Sequence, residues 1–107
     1  MENVYALIWR AAEPDDTFKQ EEFEARIPRL MVWLKELYAA GKLLGCGGGG
    51  FETHSGGLTG IRADSPEEAK KLSEGTPMNE IGSTEIFYWG VYYANLNEDV
   101  FEAKLKG

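Results

Sequence analysis

His54, Cys46, two arginines and one carboxylate are the side chains here that could move a proton, attack a carbon or clamp an anion. His54, the sole histidine, sits in Glu52-Thr53-His54-Ser55-Gly56-Gly57, which reads as the rim of a strand connection. Histidine is the residue type that titrates nearest neutrality, so it suits a proton carrier or a ligand contact at a pocket rim. At a loop tip the commoner fate is a solvated side chain. Only Glu52 stands near it as a second ligand, so no metal site is expected. Arg10 ends an apolar stretch, and Arg26 lies two residues before a proline. Either could grip a carboxylate or phosphate in the bidentate geometry arginine favours, or pair with some of the 18 acids. Thr76, Asn79 and Glu80 share a loop, and Glu80 would serve as a base if buried. Tyr5, Trp9, Tyr88, Trp89 and Tyr92 offer aromatic surface with polar tips, for a core, an interface or a flat ligand. Cys46 lacks a neighbouring base or cation in sequence and reads as a structural thiol.

Around Cys46 lies a second candidate. Residues 45–50 are Gly-Cys-Gly-Gly-Gly-Gly. Gly45-x-Gly47-x-x-Gly50 matches the dinucleotide fingerprint in form, but that motif needs a helix after it to hold the pyrophosphate. The next residues, FETHSGGLTGIRA, read instead as a turn and a strand. Leu43, Leu44 and Phe51 bracket the run with core-type residues, which argues against a linker. A strand nearly bare of side chains remains: a bend packed tightly, or floor space for a pocket.

The chain has 107 residues, the size of one domain, with 43% hydrophobic and 12% aromatic residues. A net charge of -7 repels phosphate backbones and anionic lipid surfaces, so neither nucleic acid nor a membrane is an expected partner. One cysteine excludes an intrachain disulfide and a cysteine zinc site. The start, MENVYALIWR, lacks the pattern of a secretory leader, so a cytoplasmic protein is expected, with no cofactor.

The elements that must position these groups emerge from local pattern. NVYALIWR (3–10) is a breaker-free strand, apolar on both faces. Thr17 with Gln20 resembles a capping box. Phe23, Ile27, Leu30, Met31, Leu34, Leu37 and Tyr38 form a helical stripe interrupted by Pro28. That pattern predicts a short lead-in, a kink near Arg26 or Ile27, and a main helix over 28–40 ended by Gly41. Ser65, Pro66 and Glu68 mark the start of a second helix, and Gly75 its end. EIFYWGVYYA (85–94) is a last strand with two apolar faces. Strand, helix, strand, strand, helix, strand is the ferredoxin-like βαββαβ order, an α+β fold with a four-stranded antiparallel sheet and both helices on one face. The other face would leave Trp9 or Trp89 in water, so a homodimer through that open face is expected.

With that order in place, the stretch from Pro28 through LKELYAAGKLLGCGG, then ADSPEEAKKL and TPMNEIG, resembles the YCII-like family of dimeric α+β barrel proteins, over about residues 3–94. The resemblance implies a polar pair: a histidine two residues after the first helix's proline, and an aspartate before the proline that follows the second helix. The matching positions are Leu30 and Thr76, so the family's acid–base pair does not carry over. One domain is expected over 1–94, with 95–107 packing on it or on a partner. The function expected is binding of a small organic molecule, aromatic or carboxylate-bearing, between sheet and helices, with Arg10, Arg26, Leu30, His54, Thr76, Glu80 and Tyr88 as contact residues. The alternatives are a cofactor-free isomerase, lyase or oxygenase of the same barrel group, and a protein interaction module.

Overall fold

The computed structural model describes residues 3–95; Val100, Phe101 and Leu105 of the expected docking tail lie outside the described residues. Strands β1 (Asn3–Ala11), β2 (Leu43–Gly50), β3 (Ser55–Ala63) and β4 (Gly82–Tyr88) form one antiparallel sheet in the order β2-β3-β1-β4. Helices α1 (Gln20–Ala39) and α2 (Pro66–Ser73) complete the ferredoxin-like βαββαβ fold, with a 3-10 turn over Pro77–Glu80 before β4.

Alternation along β1 sorts the two faces of the sheet. Tyr5, Leu7, Trp9 and Ala11 are buried on one side. Across the ladders Leu7 pairs with Thr59 and Ile86, and Trp9 with Gly57 and Thr84, so these share the helix side. The main core joins Tyr5, Leu7 and Ile61 to Trp33, Leu34 and Leu37 of α1 and Ala69 of α2. A smaller cluster holds Trp9, Ala11 and Met78. The opposite face carries Ile8, Leu58 and Phe87, with Phe87 59% exposed. Trp89 turns onto that face and lies against the position a Gly60 side chain would take. Of the two tryptophans expected at an open face, Trp9 is therefore core and Trp89 is on the face.

Three boundaries differ from the sequence reading. The Thr17 capping box does not form: its hydroxyl donates to Glu13 at 2.8 Å, and α1 starts after Lys19 without a side-chain cap. Pro28 neither ends α1 nor divides it into a lead-in and a main helix; Gln20–Ala39 is one continuous element. A proline removes one backbone donor, whereas the apolar stripe continues on both sides of it, and burial of that stripe holds the helix together. The last strand is Gly82–Tyr88 rather than 85–94: its ladder with β1 runs from Ala11 to Tyr5, and Trp89 N–H adds one bond to Val4 O at 3.0 Å before the chain leaves the sheet at Gly90. The apolar residues beyond it follow the open face instead, where Tyr92 and Tyr93 are exposed.

Two expected signals form as read. Gly41, at φ 71°, ends α1, with Lys42 N–H donating to Leu37 O and Gly41 N–H to Tyr38 O, a Schellman closure. Ser65 caps α2 by accepting from Glu68 N–H at 3.1 Å, while the Glu68 carboxylate reaches back to Asp64 N–H at 2.8 Å.

Candidate functional site

Between the N-terminal half of α1 and the glycine end of β2 the layers do not close. Gly48 of β2 pairs with Gly57 of β3 on the helix side, and a side chain at Gly48 would meet nothing within 4 Å. Bulky residues opposite them, Phe23, Ile27, Leu30 and Met31 of α1, therefore face a gap rather than a packed strand. The result is a cavity of about 290 Å³ with Trp9 and Trp33 among its walls. The bare strand expected either to pack tightly or to leave floor space does the second at Gly48.

The walls are fixed by hydrogen bonds of the two indoles to backbone carbonyls. Trp9 Nε1 donates to Met78 O at 2.8 Å, and Trp33 Nε1 donates to Leu72 O at 3.0 Å. Neither indole therefore has a free donor for a ligand, and both contribute apolar ring surface to the lining. Polar lining comes from Thr59, Thr76 and Thr84, with Cys46 at the floor. Among the described residues that line the cavity, none is Asp, Glu, His, Lys or Arg.

Of the seven sequence candidates, Leu30 and Thr76 meet in this cavity, and the other five lie outside its lining. Arg26 and Glu80 are brought together on the surface, Arg26 Nε to Glu80 Oε1 at 3.0 Å. Arg29 closes a bidentate fork on the same carboxylate, at 2.8 Å to each oxygen. The fork from Arg29, more than Arg26, lowers the Glu80 pKa from 4.5 to about 2. Glu80 is therefore an anion tied to two cations, holding the turn to α1. Arg10 and His54 meet at the glycine end of the sheet but on its opposite face, with an Arg10 Nη2 to His54 Nδ1 distance of 3.1 Å. The guanidinium can only donate, so Nδ1 accepts. Arg10 also stacks on Phe51, 4.9 Å from the ring centroid. Tyr88 packs edge-on against Tyr5 at 5.8 Å.

The Glu80 cluster has a pH signature. Its folded pKa lies below the ordinary value, so its stabilising contribution is complete above pH 4.5 and is lost as pH falls toward about 2. Across that interval the melting temperature of wild type is expected to drop more steeply than that of Glu80→Gln. Added salt should narrow the difference because the carboxylate is half exposed. Parallel curves for the two proteins would mean that the fork contributes nothing in solution.

Sequence reasoning missed Arg29, although it stands one helical turn from Arg26 and on the same flank. It also missed Thr59 and Thr84, since single threonines on strands carry no distinguishing signal. Among the described residues no group of three His, Cys, Asp or Glu is placed to hold a metal, and no helix is long and apolar enough to cross a membrane.

A family model for the YCII-related domain matches residues 4–89. No curated protein matches the chain. Among solved structures, the 5-chloro-2-hydroxyhydroquinone dehydrochlorinase TftG of Burkholderia phenoliruptrix AC1100, in complex with 2,5-dihydroxybenzoquinone, is similar at a TM-score of 0.59 and 19% identity, covering 79% of this chain and 92% of its own. The 30S ribosomal protein S6 of Thermotoga maritima is similar at a TM-score of 0.50 and 18% identity, covering 99% of this chain and 97% of its own. At those identities both likenesses are of fold.

Proposed function

This chain belongs to the YCII-related domain family, and from that premise we propose that it binds a small organic molecule in the cavity between α1 and the sheet. The observation that carries the reading is the Gly48–Gly57 floor beneath an aromatic, charge-free lining. A gap of about 290 Å³ bounded by Trp9, Phe23 and Trp33 matches the small end of ligand pockets, which are mostly apolar with a few placed polar groups. The dehydrochlorinase of similar fold was solved with a dihydroxybenzoquinone, a flat ring, which supports that ligand class here. Leu30 and Thr76 are the two sequence candidates assigned to ligand contact. An enzyme of the isomerase, lyase or oxygenase kind is the second reading, and that fold neighbour's dehydrochlorinase activity is what favours it. Proton transfer from the lining would fall to Cys46 or a threonine, a poor set for general acid–base work at neutral pH, so binding is preferred.

The test is a thermal-shift panel of phenols, lactones, small carboxylates and phosphorylated metabolites. A ligand at 100 times its Kd adds about 2.7 kcal/mol, a rise of several degrees in a domain this size. A rise with at least one class is expected. No rise anywhere, together with a stable assembly, would favour the interaction module.

The assembly we propose is a two-fold dimer through the open sheet face, where Leu58, Phe87 and Trp89 gather. Wild type should sediment as a dimer. Trp89→Asp, which puts a charge on that face without touching the helix-side core, should sediment as a monomer. A monomeric wild type would contradict the dimer outright.

A further inference from the structure

We infer that the cavity selects an uncharged, hydroxylated aromatic molecule and rejects its carboxylate analogue; this rests on the reading that the cavity is the binding site. Lining residues supply no cation, and each nearby arginine is already committed. Arg26 and Arg29 are held outside by Glu80, and Arg26 also by Glu22 at 2.9 Å. Arg10 lies on the opposite face of the sheet, bonded to His54 and stacked on Phe51. A carboxylate entering this space would shed its water and find no countercharge. Burying an unpaired ion costs far more than burying a hydroxyl that finds a partner.

The three threonines define what a neutral ligand should carry. Thr76 Oγ1 accepts from Met78 N–H at 3.3 Å, which leaves its own proton to donate. Thr84 donates to Asn79 Oδ1 at 2.6 Å, which leaves its oxygen to accept. The Thr59 hydroxyl is bonded to no other described residue and can do either. Both indole N–H groups are spent on backbone carbonyls. The complement is a flat ring with at least one acceptor and one hydroxyl donor on its edge, sandwiched by apolar faces. A phenol bearing a carbonyl meets that description, and a hydroxybenzoate meets it in everything but charge.

The experiment uses the full-length chain and a matched pair of probes, methyl para-hydroxybenzoate and para-hydroxybenzoate, titrated at about pH 7.5 by tryptophan fluorescence and calorimetry. The ester should bind at least about tenfold more tightly than the anion. Thr76→Val should weaken ester binding several-fold, and Thr76→Ser, which keeps the hydroxyl and the cap on Met78, should restore it. Equal or tighter binding of the carboxylate would overturn the neutral selectivity while leaving the cavity as the site, provided filling Gly48 blocks it. If neither probe binds wild type, the selectivity is overturned, and the cavity reading falls with it only when the whole thermal-shift panel is also blank. Ester affinity unchanged in both Thr76 variants would overturn the threonine assignment.

Discussion

Phenylalanine in place of Gly48 is expected to abolish binding of small phenols and leave the fold intact. The position tolerates a side chain: its φ is not in the left-handed region, which among the described residues only Gly41 occupies, and an added Cβ touches nothing within 4 Å. From there the ring extends into a space of about 290 Å³ whose opposite wall is the α1 stripe. Filling an apolar gap without strain should stabilise the protein, by up to about 2 kcal/mol for an aromatic that becomes buried. Ligand affinity should fall by more than about tenfold, since the same volume cannot be occupied twice. Melting curves and a fluorescence titration of the two proteins would check both halves. Wild-type affinity in Gly48→Phe would place the ligand elsewhere.

At the other edge of the sheet a filled glycine should have the opposite effect: Gly82→Val is expected to lower the melting temperature by more than about 10 °C. A Cβ at Gly82 would collide with the Arg10 carbonyl and the edge of the Trp9 indole. Neither neighbour can yield cheaply. The carbonyl belongs to β1, which pairs with β4 through Ala11 and Gly82, and the indole is pinned by its bond to Met78 O. Overpacking of this kind costs about 1–3 kcal/mol, and here it also disturbs the ladder and the smaller core cluster. Gly47→Ala is the matched control, because a methyl group there meets nothing within 4 Å. Should Gly82→Val melt with wild type, Trp9 is not wedged as described.

The contrast between these glycines shows what a sequence can and cannot display. The run at 45–50 and the isolated Gly82 look alike as letters, and only the sheet order separates them. β2 is an edge strand under the splayed end of α1, whereas β4 abuts the bulkiest residue of β1. The fold itself was legible because each element carries its own period or cap: alternation in β1, the stripe of α1, Ser65 before α2. Misreadings came where tertiary contacts overrule local signals. Pro28 lies within α1 because packing of the stripe outweighs one missing hydrogen bond, and the chain leaves the sheet at Gly90, after Trp89 N–H has made a last bond to Val4 O. Leu30 and Thr76 were locatable through the family resemblance, with Pro28 and Pro77 as its landmarks, and both line the cavity. The pairing of Glu80 with two arginines was not, since Arg29 and the carboxylate it grips stand 51 residues apart on a helix and a turn.

The most direct test of the cavity is a backbone amide NMR titration of the isotope-labelled chain with a small neutral phenol. Shifts are expected to concentrate on Cys46, Gly48, Gly57 and Thr59 and on the indole N–H signals of Trp9 and Trp33, with Gly60, Phe87 and Trp89 on the open face unmoved. Shifts gathered on Gly60 and Trp89 instead, or none at ligand concentrations that raise the melting temperature, would contradict a ligand site between α1 and the sheet.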